Sequence, residues 1–178
     1  RYKLKKKNYL NLIISKSGNT LETVTNANVI LSKKDKNIFI TENKKSYLYE
    51  LAENLKSEII HHNNFIGGRY SVLSEVGMLP AELMGLKPNK FRQLNNLVKN
   101  KKFIDGVISN VSLILDFHKK KNFNSIVINY NPNFNNLIEW YKQLVSESLG
   151  KKGKGILPII SNMPKDNHST MQLFLDGF

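Results

Sequence analysis

Residues 13–23, Ile13-Ile14-Ser15-Lys16-Ser17-Gly18-Asn19-Thr20-Leu21-Glu22-Thr23, decide how the rest of the chain reads. An apolar run that begins at Tyr9 ends in a loop of hydroxyls around one glycine, and a helical pattern follows. Strand, short loop and helix make the repeating unit of a parallel sheet. Asn19 and Glu22 have the spacing of a capping box, so Asn19 is expected to accept from the first helical amides while Glu22 reaches back. Amides at a helix start attract an anion, and the helix dipole adds to the pull. Ser15, Ser17 and Thr20 supply compact neutral donors, Lys16 a positive charge and Gly18 room. Two readings fit the stretch: a phosphate cradle, or a capped helix after an ordinary turn. A Walker loop is excluded, because the Gly-Lys-Ser/Thr ending is missing.

The alternation continues downstream. Strands over 9–15, 37–41 and 57–61 alternate with helices over 20–32 and 47–55, and a Gly-Gly turn leads to a helix over 70–83. Gly85 and Pro88 mark a boundary between two subdomains, 1–86 and 87–178. Helices over 88–98 and 104–120, a strand over 124–129, a helix over 134–147 and a strand over 156–160 follow. A last helix opens at His168. The fold class is therefore α/β, with parallel sheets flanked by helices in two incomplete subdomains. The chain opens without Met, and Phe178 falls inside a helical pattern, so an internal piece of a longer polypeptide is expected.

Composition narrows the function classes. Hydrophobic and charged fractions of 40% and 23% are those of a soluble globular chain. With no cysteine, disulfides, thiolate metal sites and thiol nucleophiles are excluded, and a reducing, cytoplasmic setting fits. The basic opening Arg1-Tyr2-Lys3-Leu4-Lys5-Lys6-Lys7 is followed by no signal-type apolar run. The longest apolar stretches, 9–14 and 111–115, are too short to span a bilayer, so no membrane partner is expected. The net charge of +13 invites a nucleic-acid reading. The lysines are scattered over helix ends and loops, however, without interleaved aromatics, so nucleic acid is not an expected partner. A diffuse positive field equally steers a small anion.

Three further stretches carry chemistry. Gly67-Gly68-Arg69-Tyr70-Ser71 follows the third strand, so Arg69 is expected at a strand's carboxyl end, where open α/β sheets bind ligands. A surface arginine after a glycine turn fits the same residues. Glu147 lies in the last turn of a helix, against the dipole, with Gln143 four residues earlier on the same face. A mobile basic turn, Lys152-Gly153-Lys154-Gly155, is expected after it. His168 stands at a helix start, where a neutral imidazole is favoured. His61, His62 and His118 show no sequence partner, base or metal, and are read as structural or exposed.

Together these stretches resemble the glucose-6-phosphate isomerase family, whose fold is built on sugar isomerase (SIS) domains. Residues 15–23 are similar to the family's Ser-Lys-Thr-x-Thr-Thr-x-Glu-Thr loop, with Ser17 and Asn19 in place of threonines. Residues 67–71 are similar to its Gly-Gly-Arg-Phe/Tyr-Ser signature, continued by Val76-Gly77-Met78-Leu79-Pro80; Glu75 departs, since a small residue is usual there. Glu147-Ser148-Leu149-Gly150-Lys151 resembles Glu-Ser-Asn-Gly-Lys, and His168 with Gln172 resembles His-x-x-x-Gln.

The resemblance implies interconversion of glucose 6-phosphate and fructose 6-phosphate through a cis-enediol, without cofactor or metal. It implies that Ser15, Lys16, Ser17, Gly18, Asn19, Thr20 and Gln143 bind the phosphorylated hexose. Glu147 is implied as the base, Arg69 as the stabiliser of negative charge, and His168 as the group assisting ring opening. It further implies a homodimer in which His168 reaches the neighbouring subunit's site. The family's upstream glycine-serine turn and downstream lysine are expected outside this chain, leaving it inactive alone. The alternative is a non-catalytic SIS-type module that binds a phosphosugar.

Overall fold

The computed structural model describes residues 9–177. The basic opening at 1–8 and Phe178 lie outside them. The chain divides into two compact units, Arg1–Arg92 and Gln93–Phe178.

In the first unit, β1 (Leu10–Ile14), α1 (Leu21–Ile30), β2 (Lys36–Glu42), α2 (Tyr47–Asn54) and β3 (Glu58–His62) alternate as expected. The strands form a parallel sheet in the order β1-β2-β3, with Ile14 opposite Ile40 and Glu42 opposite His62. Their apolar runs suit a sheet covered by helices. Ile13, Ala27, Phe39, Leu48 and Ala52 make the buried core, with Val24, Leu51 and Ile59 packed against it. Burying a side chain the size of Phe39 or Leu48 contributes roughly 1.5–3 kcal/mol.

A 3-10 helix over Gly68–Leu73 and then α3 (Glu75–Leu83) complete the unit, where the sequence suggested one helix over 70–83. Ser74 causes the break: its backbone is extended, and its Oγ accepts from the Val76 amide as the N-cap of α3. Gly77 sits where the two pieces touch, and a β-carbon there would stand 2.0 Å from the Val72 carbonyl oxygen.

A second 3-10 helix, Pro88–Leu94, crosses the unit boundary, and α4 (Asn95–Lys99) replaces the rest of the helix expected over 88–98. In the second unit α5 (Lys101–Lys119) follows, capped by Asn100 Oδ1 accepting from the Phe103 amide. Then come β4 (Asn124–Asn129), α6 (Asn135–Leu149), β5 (Leu157–Asn162) and α7 (Thr170–Asp176). Strands β4 and β5 pair in parallel from Asn124–Leu157 to Asn129–Asn162. No residue of α5, α6 or α7 is fully buried.

Candidate functional site

The loop over 15–20 hangs from the carboxyl end of β1, the side on which open parallel sheets take ligands. Ser15 is buried, and its amide donates to the Ile40 carbonyl at 3.1 Å, extending the β1–β2 ladder. Its Oγ lies 2.8 Å from Thr20 Oγ1, closing the loop across its base. Gly18 takes φ of +66°, and a β-carbon there would meet Ser46 Oγ at 2.0 Å and Thr41 Oγ1 at 3.0 Å. Backbone and contact both demand glycine. The Asn19 amide donates to Ser17 Oγ at 3.2 Å.

The expected capping box does not form. Thr20 is the N-cap of α1 and makes no side-chain cap bond, its hydroxyl being held against Ser15. Asn19 turns outward instead, and its Oδ1 accepts from the Tyr47 amide at the start of α2, at 2.9 Å. The amides opening α1 are thus left without a side-chain cap, beside the loop's hydroxyls. Uncapped helix-start amides of this kind favour negative charge.

Lys16 points elsewhere. Its Nζ donates to the carbonyls of Asn64 at 2.9 Å and Ile66 at 2.8 Å, and pairs with Glu42 at 3.2 Å. Its backbone carbonyl accepts from the Glu42 amide and the Thr41 hydroxyl. Lys16 therefore ties the hydroxyl loop to the turn after β3.

That turn carries Arg69, which is the second residue of the 3-10 helix rather than the end of a strand. Its Cζ stands 4.8 Å from the centre of the Tyr70 ring. The helix is locked by Ser71 Oγ donating to the Gly68 carbonyl at 2.6 Å and the Tyr70 amide to Gly67 at 2.9 Å.

One pair escaped the sequence. His62, read there as unpartnered, is buried, and its Nδ1 is hydrogen-bonded to Glu75 Oε1 while its Nε2 meets the Ile66 carbonyl at 3.1 Å. Burial raises the Glu75 carboxyl. The His62 hydrogen bond, its own amide, the His62 charge and the Asn63 amide outweigh that and hold it below the ordinary value of 4.5. The signal available in the sequence was Glu75 itself, an acid at the first position of a helix where the resembling family has a small residue.

In the second unit, α6 sets Gln143 and Glu147 one turn apart, and Gln143 Nε2 donates to Glu147 Oε1 at 2.9 Å. Both are exposed. After α6 the chain closes on itself rather than trailing as a loose basic turn. Lys151 and Lys154 exchange backbone hydrogen bonds of 3.1 Å across Lys152 and Gly153, both at positive φ. Two such residues define a type I′ turn. His168 ends the 3-10 helix Lys165–His168, and α7 starts only at Thr170. Asp166, which the sequence did not single out, holds this corner: its Oδ2 accepts from the Asn162 amide at 2.7 Å and Ser161 Oγ at 3.1 Å. Ser161 is buried beneath it.

Ser15, Lys16, Ser17, Gly18, Asn19, Thr20 and Arg69 thus belong to the first unit, and Gln143, Glu147 and His168 to the second. No cluster of three or more metal-binding side chains occurs among the described residues, and none of their helices is long and apolar enough to cross a membrane.

No protein-family model matches the chain. Curated relatives do, over nearly its whole length. Glucose-6-phosphate isomerase of Methanocaldococcus jannaschii is 35% identical over 93% of the chain. Those of Mycoplasmopsis pulmonis and Fusobacterium nucleatum are 33% and 34% identical over 99% and 93%. Over nearly its whole length this chain is homologous to glucose-6-phosphate isomerases. It spans 44% of the length of the first two relatives and 40% of the third. The crystal structure of a hypothetical protein from Thermus thermophilus is similar in fold, with a TM-score of 0.77 and 27% identity over 95% of this chain and 45% of that one. Within the glucose-6-phosphate isomerase family pattern quoted above, this chain's departure at Glu75 is matched by a structural partner, His62. Its departure at Leu149 leaves an apolar side chain about half exposed, 48%, beside Glu147.

Proposed function

We propose that the chain supplies the phosphosugar-binding loop, the charge-stabilising arginine and the base of an aldose–ketose isomerase acting on glucose 6-phosphate and fructose 6-phosphate. One observation carries the reading: the uncapped start of α1 lies beside the Ser15, Ser17 and Thr20 hydroxyls, and Lys16 ties that loop to the turn bearing Arg69. Such a cradle recognises phosphate by amides and hydroxyls rather than by a Walker lysine.

Chemically, the sugar ring opens with assistance from His168. The Glu147 carboxylate takes the C2 proton of the open aldose, leaving a cis-enediolate. The same proton returns at C1 and the O1 and O2 protons redistribute, giving the ketose. Arg69 offsets the charge that develops on oxygen, a role in which one well-aimed donor contributes on the order of 3–4 kcal/mol. Gln143 orients Glu147 and the sugar. Members work as cytoplasmic homodimers in this reading, with His168 serving the neighbouring subunit's site.

The decisive experiment is Glu147→Gln in a full-length isomerase carrying this chain, with conversion and sugar-phosphate binding measured together. Lost turnover with retained binding supports the base. Unchanged turnover overturns Glu147 as the base, whereas a parent that binds the sugar phosphate without any turnover leaves the non-catalytic phosphosugar-binding module, which the cradle alone would satisfy.

A further inference from the structure

The turn over 63–67 is held from two sides at one atom. The Ile66 carbonyl receives Lys16 Nζ at 2.8 Å and His62 Nε2 at 3.1 Å. The opposite nitrogen of His62 meets the Glu75 carboxylate, and its side chain is completely buried. A carbonyl on one side and an ionised carboxylate on the other are both acceptors, so the ring must bring a hydrogen to each. The imidazolium form satisfies that. The charged groups around it balance: Glu75 from α3, Glu42 directly across the ladder on β2, and Lys16 from the loop after β1, itself paired with Glu42.

We propose that His62 and Glu75, acting with Lys16, are positioning residues that fix the Ile66 peptide and thereby aim the guanidinium of Arg69. The path is short. Ile66 immediately precedes Gly67, whose carbonyl accepts from Tyr70 and starts the 3-10 helix that carries Arg69. Glu75 also anchors the far side, because it opens α3 directly after the Ser74 cap. The 3-10 helix is therefore held at both ends by one ion pair. Within the turn the Phe65 and Ile66 amides donate to Asn63 at 2.9 and 3.1 Å, while Phe65 is 98% exposed, so apolar packing of that side chain does not fix the turn.

The effect on turnover rests on the role given to Arg69 above; the clamp itself does not. Two measurements separate them. In the chain itself, nitrogen-15 shifts of the His62 ring should show a hydrogen on each nitrogen, one for each of its two acceptors. Glu75→Gln should convert the ring to a single neutral tautomer and move the Gly67, Gly68 and Arg69 amide resonances. A neutral ring in the native chain, or amides unmoved by the substitution, overturns the proposal. In a full-length isomerase carrying this chain, Glu75→Gln should lower kcat about ten-fold with KM changed less than about two-fold, and Glu75→Asp should recover part of the loss. An active parent enzyme indifferent to Glu75→Gln overturns the aiming of Arg69, while the ring shifts and amide resonances still decide the clamp. An inactive parent removes the isomerase reading, while the ring measurement still decides the clamp. Should Glu75→Gln not fold, the native ring shifts decide alone.

Discussion

Gly18 and Ser46 occupy almost the same space: a single carbon added to Gly18 would fall 2.0 Å from the Ser46 hydroxyl oxygen. The contact joins the hydroxyl loop after β1 to the first turn of α2, because Ser46 is the N-cap of that helix and the Gly18 carbonyl accepts from the Leu48 amide at 3.0 Å. Loop and helix start are one structure.

Gly18→Ala should therefore cost more than its positive φ alone, which accounts for about 1–2 kcal/mol. Adding Ser46→Gly relieves the clash, and glycine at an N-cap loses only a few tenths of a kcal/mol. Denaturant unfolding of the two single variants and the double variant should show a favourable coupling of roughly 1 kcal/mol or more. Strict additivity would mean that the loop relaxes away from Ser46 without cost.

Asn19 and Glu22 separate two ways of capping. Asn19→Ala should lose about 1 kcal/mol, because Tyr47 loses its acceptor at 2.9 Å. Glu22→Ala should change stability by less than about 0.5 kcal/mol, since no capping box exists to break. The reverse order in thermal melts would restore the cap that the local spacing suggested.

Acid should weaken the first unit through Glu75. Its folded value lies below the ordinary 4.5, so its stabilising contribution is complete above that pH and is lost as pH falls through the folded value. Unfolding measured across that range should show the difference between the native chain and Glu75→Gln shrinking toward acid. A difference that grows toward acid would mean the carboxyl is favoured in its protonated form.

At the other end of the chain, Asp166→Ala should release the corner that displays His168. The Asn162 amide and the Ser161 hydroxyl both lose the same carboxylate oxygen, a loss of roughly 1–3 kcal/mol. Hydrogen exchange at Asn162 should accelerate, while amides in the β1–β3 sheet keep their protection. Unaltered exchange at Asn162 would show that Thr170, which also touches Ser161, suffices.

The strands were legible because a parallel sheet covered by helices writes itself as short apolar runs, and residues 124–129 were delimited to the residue. The interiors of α1, α2, α5 and α6 were equally plain, whereas 68–73 and 88–94 form 3-10 helices. Capping was not, since Asn19 had two helix starts within reach and only the folded arrangement favours Tyr47 over α1. The break at Ser74 was hidden for a related reason: a cap residue inside an apolar helical pattern leaves the period intact. Of the candidate site, the hydroxyl loop and the Gln143–Glu147 turn are local and could be read directly. The His62–Glu75 pair links a strand end to a helix start across an irregular turn, and no periodicity reports such a meeting. The outward reach of Lys16 belongs with it, because its acceptors are main-chain carbonyls that any residue provides.

That reach sets an order of events. Lys16 finds its two carbonyl acceptors 48 and 50 residues further along, so this one tie, unlike the loop's bonds to β2 and α2, waits until the turn after β3 is in place. During synthesis, a nascent chain that has emerged only as far as α2 already displays the serines and Gly18 without the fastening. Closing so long a loop costs chain entropy before the contact repays it, so the link between the hydroxyl loop and the turn bearing Arg69 should arrive with the last strand of the sheet, not with the residues that compose the loop.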